Sequence, residues 1–293
     1  MDTIRTAAAS VIGARHLRAA RNGQDAVAVV VPALSVPSAV VVVCDGCSSG
    51  ESSEVGARLG ANLFARAIGI RLQAGASPCD PAMWADARAE AVAQLGVLAD
   101  QLVAGHRDAG HRDAGHRNTD GAGDQRSRAE VLADVVRQHF LFTVVAAAVR
   151  GDDAAVWALG DGVYSFGDYT RELGPFADNA PPYLGYDLLD DPRPAHFEVA
   201  HAGAGTIVIG TDGAADIIGG IERFAGRRYV EHPDALRREL SVLAKSQERI
   251  DWDERRVIRT PATLQDDCAI AVLRWDRARA AASWGIGDAE VLS

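Results

Sequence analysis

The chain has 293 residues, 48% of them hydrophobic and 24% charged, which is the composition of an ordinary folded protein and excludes disordered or fibrous classes. Its formal net charge of −10 argues against a broad nucleic-acid surface, which needs Lys and Arg to displace counterions. No apolar run approaches the ~18 residues of a membrane helix, and residues 1–20 lack the apolar centre of a signal peptide. In chain order, residues 27–31 and 39–44 are short, valine-rich runs that read as strands. After Gly50, Ser52 or Ser53 can cap a helix in which Val55, Leu59 and Leu63 recur near helical spacing. Residues 81–102 predict a long alanine-rich helix.

Gly105-His106-Arg107-Asp108-Ala109 then repeats at 110–114 and begins again at Gly115-His116-Arg117. With the polar residues that follow, this stretch has too little apolar content to pack, and it reads as a disordered low-complexity insert over about 105–127. A helix over 128–139 leads to strands at 142–149 and 154–159. Gly151-Asp152-Asp153 between them is a hairpin signal, so at least part of the sheet is antiparallel and a purely parallel doubly wound fold is excluded. A strand at 206–210, a helix at 233–249 with Leu236, Leu240 and Leu243 on one side, a strand at 268–273 and a tail over 276–293 complete the chain. The strand runs are continuously apolar, which implies sheets covered on both faces. Cys44, Cys47, Cys79 and Cys268 do not form a disulfide framework, and a reducing cytoplasm is the expected compartment. Cys44 and Cys47 have redox or zinc spacing, but no second pair completes a four-cysteine site.

Three carboxylates stand at strand edges. Asp45-Gly46 directly follows the 39–44 run, Asp212-Gly213 follows the 206–210 run, and Asp266 precedes the 268–273 run. Carboxylates avoid buried surroundings unless something compensates their charge. If they converge with no basic partner beside them, a hard divalent metal is the simplest compensation. Taken singly, each Asp-Gly pair is an ordinary turn; their ordered appearance at strand edges carries the signal.

The pieces fall in an order that resembles the metal-dependent serine/threonine protein phosphatases of the PPM type, also called type 2C. Arg21-Asn22-Gly23-Gln24-Asp25 is similar to that family's opening segment, and Asp45-Gly46-Cys47-Ser48-Ser49-Gly50 to its first Asp-Gly turn. Leu159-Gly160-Asp161-Gly162 resembles the end of its central hairpin, Asp212-Gly213-Ala214-Ala215-Asp216 its second Asp-Gly motif, and Asp266-Asp267-Cys268 its closing strand. The resemblance covers residues 10–275 and implies one α/β domain over 1–293, a four-layer αββα sandwich of two mainly antiparallel sheets flanked by helices.

It also implies hydrolysis of phosphoserine or phosphothreonine on proteins by a water activated at a binuclear Mg²⁺ or Mn²⁺ site. Asp45 would bridge the two ions, the Gly46 carbonyl would bind one, and Asp212 and Asp266 would hold the other. Asp25 would act through water, Asp161 and Asp216 would hold a looser third ion, and Arg21 would clamp the phosphate, with Arg18 or Arg15 as substitutes. The implied partners are a phosphorylated protein and the opposing Ser/Thr kinase, with no nucleic acid and no membrane. Departures lie on the substrate side: Gln24 replaces an acidic residue, Cys47 stands where animal members carry a histidine, and Gly162-Val163 replaces Ser-Arg. They leave open a non-catalytic phosphatase-like sensor module, or a phosphatase acting on a small phosphorylated molecule. The family pattern puts Asp266, and not Asp267, on the metal. Adjacent strand residues point to opposite sides, so Asp267 is expected to face solvent or to make a local hydrogen bond.

Overall fold

A computed structural model describes residues 3–114, 126–200 and 205–276. Two five-stranded sheets lie face to face. One runs β2 (Ala26–Val30), β3 (Ser38–Gly46), β4 (Phe142–Arg150), β5 (Asp153–Leu159) and β8 (His196–Val199), all antiparallel. The other runs β1 (Thr3–Val11), β12 (Cys268–Asp276), β9 (Thr206–Gly210), β6 (Gly162–Phe166) and β7 (Tyr169–Leu173), again antiparallel throughout. A separate ribbon pairs β10 (Gln247–Asp251) with β11 (Arg256–Thr260).

The period-2 alternation of strand side chains divides the core into layers. On β3, Ala39, Val41 and Val43 pack between the sheets with Val145, Ile209 and Ala271. Val40, Val42 and Cys44 face the other way, toward the helices α2 (Ser53–Gln73) and α3 (Pro81–Ala114). Both faces of the strand are covered, hence its unbroken apolar sequence. On α3, Ala87, Ala91, Leu95, Ala99 and Val103 recur every four residues and form the buried stripe. Trp84 of the same helix stacks on Trp157 of β5 at 6.5 Å between ring centroids. The second sheet is covered by α5 (Arg227–Glu231) and α6 (Pro233–Leu243), with Leu236 and Leu240 against Val208, Ile270 and Val272. The expected four layers are therefore present. Among the described residues no helix is long and apolar enough to cross a membrane, and the four cysteines are free.

Some boundaries differ from the sequence reading. Helix α3 continues past Leu102 to Ala114, so the first two copies of the five-residue repeat are helical rather than part of a disordered insert. Their alanines and arginines are good helix formers, and this outweighs the spaced glycines. The rest of the expected insert, 115–125, and the tail from 277 lie outside the described residues. The helix expected over 128–139 begins as α4 (Arg128–Val135), with a capping box in which Ser127 and Glu130 satisfy each other's backbone N–H, and finishes as a π-turn, Val136–Phe140. Helix α6 stops at Leu243, and residues 247–249 belong to β10. The sequence reading missed β1 and the short helix α1 (Ala14–Arg18), in which small and charged residues hide the pattern.

Candidate active site

The candidate residues gather at one end of the sandwich, where strand ends from both sheets meet. Asp45 is the last but one residue of β3, opposite Thr143 of β4, and shares strand parity with the inter-sheet residues Val41 and Val43. Asp25 immediately precedes β2, Asp161 lies between β5 and β6, Asp212 follows β9, and Asp266 and Asp267 precede β12. Two glycines make these turns possible. Gly160 has φ +98°, and a Cβ there would meet Thr143 Cγ2 at 2.5 Å, so the Asp161 turn lies flat on β4. A Cβ on Gly213 would sit 2.0 Å from the Asp267 carbonyl oxygen, so the Asp212 turn packs directly on the backbone ahead of β12.

Asp45, Gly46, Asp161, Asp212 and Asp266 line one cavity of about 360 Å³, together with Cys47, Tyr183 and His16. Asp25 lies beneath it, 5% exposed, and accepts a hydrogen bond from Thr211 Oγ1 at 2.5 Å. Asp45 is central, with Asp25, Asp212 and Asp161 all close enough for their charges to act on its carboxyl. Burial, and then the charges of Asp25, Asp212 and Asp161, push the Asp45 carboxyl well above the usual range. Burial also raises Asp25, against the Thr211 hydrogen bond, with Asp267 and Asp212 adding to the rise. Burial and then Asp212 raise Asp161 to about 6. Asp212 stays accessible to solvent at the mouth, yet the protein around it still raises its carboxyl, and Asp266 adds to the effect.

Such carboxylates repel one another, and a divalent cation is the compensation their chemistry fits. Asp161 Oδ1 is buried with no hydrogen-bond partner, which leaves an oxygen available as a ligand. Among the described residues no three His, Cys, Asp or Glu side chains form a ready metal cage. Mg²⁺ and Mn²⁺ do not require one, because they fill much of their shell with water and backbone oxygens. The donor set therefore fits these ions.

The remaining candidates are placed differently. Asp216 is exposed beside Asp212 and does not line the cavity. Arg21 also lies outside it, over a neighbouring cleft with Glu51 and Glu54, and donates from Nη2 to the Ser48 carbonyl at 2.9 Å. Arg15 of α1 stands at the edge instead, with Nη1 3.7 Å from Asp266 Oδ2, and Arg18 donates to Gln265 Oε1.

Asp267 corrects the sequence expectation. It is 3% exposed, and its partners are distant in sequence: Gly13 N–H at 2.8 Å, Gln24 N–H at 2.6 Å and His16 Nδ1 at 2.8 Å. The alternation argument fails because both aspartates precede the strand, which starts at Cys268. Sequence reasoning also missed His16 and Thr211, since an isolated histidine or threonine in a loop or short helix carries no spacing signal.

A family model described as protein phosphatase 2C matches residues 12–249. No curated protein matches the chain at a significant level. Among solved structures, the serine/threonine phosphatase Stp1 from Staphylococcus aureus is 10% identical and has a TM-score of 0.51, covering 93% of this chain and 95% of its own. A bacterial serine phosphatase is 12% identical at a TM-score of 0.52, covering 94% of this chain and 100% of its own. The catalytic domain of the serine/threonine protein phosphatase PstP, in complex with two manganese ions, is 14% identical at a TM-score of 0.52, covering 94% of this chain and 99% of its own. At these identities the structures speak to the shared fold alone.

Proposed function

The chain belongs to the protein phosphatase 2C family, and from that premise we propose that it removes phosphate from phosphoserine or phosphothreonine in proteins, using Mn²⁺ or Mg²⁺ held by the acidic cavity. The observation that carries this reading is the convergence of Asp45, Asp212 and Asp266, from three distant parts of the chain, on one cavity beside Gly46. Divalent ions there would lower the pKa of a water and offset the charge of the phosphoryl oxygens. Asp45, which has Asp25 and Asp212 as close neighbours, would be the carboxylate shared by the ions. The Gly46 carbonyl would serve one ion, and Asp212 and Asp266 would serve the other. Two ions in the similarly folded PstP domain support that count.

Asp25, fixed by Thr211 beneath the cavity, orients water from below. Asp161, with Asp216 beside Asp212, is the place for a third and looser ion. Arg15 is better placed than Arg21 to meet a phosphate, because it stands at the cavity edge with its guanidinium largely exposed. The substrate is then a phosphorylated protein with an opposing kinase, and the compartment is the cytoplasm.

The test is phosphate release by the purified chain across a Mn²⁺ titration, with p-nitrophenyl phosphate and a phosphopeptide panel run beside phosphorylated metabolites. The expected result is Mn²⁺-dependent release from phosphopeptides, abolished by chelation. Turnover of metabolites alone would move the reading to a small-molecule phosphatase. No metal-dependent turnover at all would make the chain a non-catalytic module.

A further inference from the structure

We propose that His16, held by Asp267, is the catalytic residue that protonates the leaving oxygen of the substrate; the proposal rests on the phosphatase reading above. His16 is on α1, is 5% exposed, and lines the same cavity as Asp45, Asp212 and Asp266. Its Nδ1 is 2.8 Å from Asp267 Oδ2. An ionised carboxylate can only accept, so Nδ1 carries the hydrogen of that bond. Asp267 is itself fixed by backbone donors on two sides, Gly13 N–H at 2.8 Å and Gln24 N–H at 2.6 Å. The imidazole is thus oriented by a buried carboxylate that the backbone holds in place. Its other nitrogen, Nε2, makes no hydrogen bond among the described residues. A carboxylate that fixes Nδ1–H leaves Nε2 as the nitrogen that exchanges protons.

The reaction needs such a group. A serine alkoxide is a poor leaving group and must take a proton as it departs. Of the carboxylates lining the cavity, Asp45, Asp161, Asp212 and Asp266 would hold the ions, and Asp267 is taken up by its bonds to Gly13, Gln24 and His16. Burial, and then its hydrogen bond with Cys47, raise the Tyr183 hydroxyl above its ordinary value, so it holds its proton tightly. His16 is the imidazole of the lining. In the step, a water oxygen bonds to phosphorus while the bond from phosphorus to the serine oxygen breaks. The bonding pair stays on the serine oxygen, which takes the proton from Nε2. The products are the free hydroxyl and inorganic phosphate. The attacking water gives its own proton to solvent, and the imidazole regains one from solvent.

The test compares His16→Asn with the wild type on two substrates under saturating Mn²⁺. Asparagine keeps a donor near the Nδ1 position for Asp267 but has no proton to give. The expected loss in kcat is at least about 100-fold on a phosphoserine peptide. On p-nitrophenyl phosphate, whose leaving group departs without a proton, the loss should be at least tenfold smaller. Mn²⁺ affinity measured by calorimetry should stay within threefold. Losses on the two substrates that agree within tenfold overturn the proposal, as does an undiminished rate on the peptide. A larger fall in Mn²⁺ affinity would make His16 a metal ligand and also overturns it. If the variant does not fold, wild-type rates across substituted phenyl phosphates decide: they should vary little with leaving-group pKa, and a steep fall as that pKa rises overturns the proposal. A wild type with no Mn²⁺-dependent turnover on either substrate removes the phosphatase reading, and the proposal with it.

Discussion

Asp266 and Asp267 are neighbours in sequence with the same side chain, and the structure sets them in different surroundings, Asp267 buried and Asp266 half-exposed. Asp267 accepts three buried hydrogen bonds, from Gly13 N–H, Gln24 N–H and His16 Nδ1–H, which tie α1 and the start of β2 to the start of β12. Hydrogen bonds to a charged group are each worth about 1.5–3 kcal/mol. Truncation to alanine would strand three donors, while relief of the repulsion between Asp267 and Asp25 offsets part of the loss. A net cost of about 3 kcal/mol is expected, comparable with removing one partner of a buried ion pair at ~3–5 kcal/mol. For a chain of this size that lowers Tm by roughly 6–12 °C.

Asp267→Asn is milder. Oδ1 of the asparagine can keep the bonds from Gln24 and His16, and only the Gly13 contact turns into two opposed donors, at a cost of about 1–2 kcal/mol. Asp266 is half-exposed, and its protein contacts are the Arg15 guanidinium at 3.7 Å and its neighbour's backbone N–H at 3.0 Å. Asp266→Ala should therefore leave Tm within about 2 °C, the range of ordinary surface changes, and remove nearly all Mn²⁺-dependent hydrolysis. Scanning calorimetry of metal-free protein and a Mn²⁺ titration of turnover read the two effects separately. A Tm for Asp267→Ala within about 2 °C of wild type would refute the hydrogen-bond argument. Normal turnover by Asp266→Ala would refute its place on the metal.

Other changes at the site have equally definite signs. Asp45→Asn should abolish metal-dependent activity while raising the Tm of metal-free protein, because it removes one of several mutually repelling carboxylates; near-normal turnover at saturating Mn²⁺ would contradict the bridging role. Asp161 has a folded-state pKa raised to about 6, so its favourable contribution is complete only below the unfolded value and is lost as pH rises through 6. The full shift corresponds to at most about 3 kcal/mol before solvent screening reduces it. In metal-free protein the stability gained by Asp161→Asn should thus grow from pH 4.5 to pH 7.5; a pH-independent difference in urea midpoints would count against the raised pKa. Thr211→Val removes the hydroxyl that donates to Asp25 Oδ2 and to which the Ala269 N–H donates. It should weaken Mn²⁺ binding measured by calorimetry and slow turnover together, and unchanged values of both would show that Asp25 does not need that anchor.

What could be read from the sequence was set by periodicity. Strands such as β3 and β12 are covered on both faces, so their runs are apolar without interruption. The ends of β3 could be placed to within a residue or two and the start of β12 at its first residue, while β12 runs three residues further, to Asp276. Asp45, Asp212 and Asp266 followed, because a carboxylate at the edge of such a run stands out. The exposed elements were not visible. β10 and β11 form a solvent-facing ribbon whose charged residues read as helix or loop. The helix through Gly105–Ala114 was masked by its repeat. The Asp267–His16 pair was not visible either, because its members are separated by 251 positions and meet only when β1 pairs with β12. Motif matching alone could not place Arg21, which lies over a neighbouring cleft and donates to the carbonyl of Ser48, a lining residue of the cavity.

The central claim is that the acidic end of the sandwich holds divalent metal for phosphate chemistry. Anomalous diffraction from crystals soaked in Mn²⁺ tests it most directly. The account predicts two strong peaks a few ångströms apart, both in contact with Asp45, with Gly46 at one and Asp212 and Asp266 at the other. Peaks elsewhere on the surface, or none in this cavity while the soaked protein is active, would contradict it.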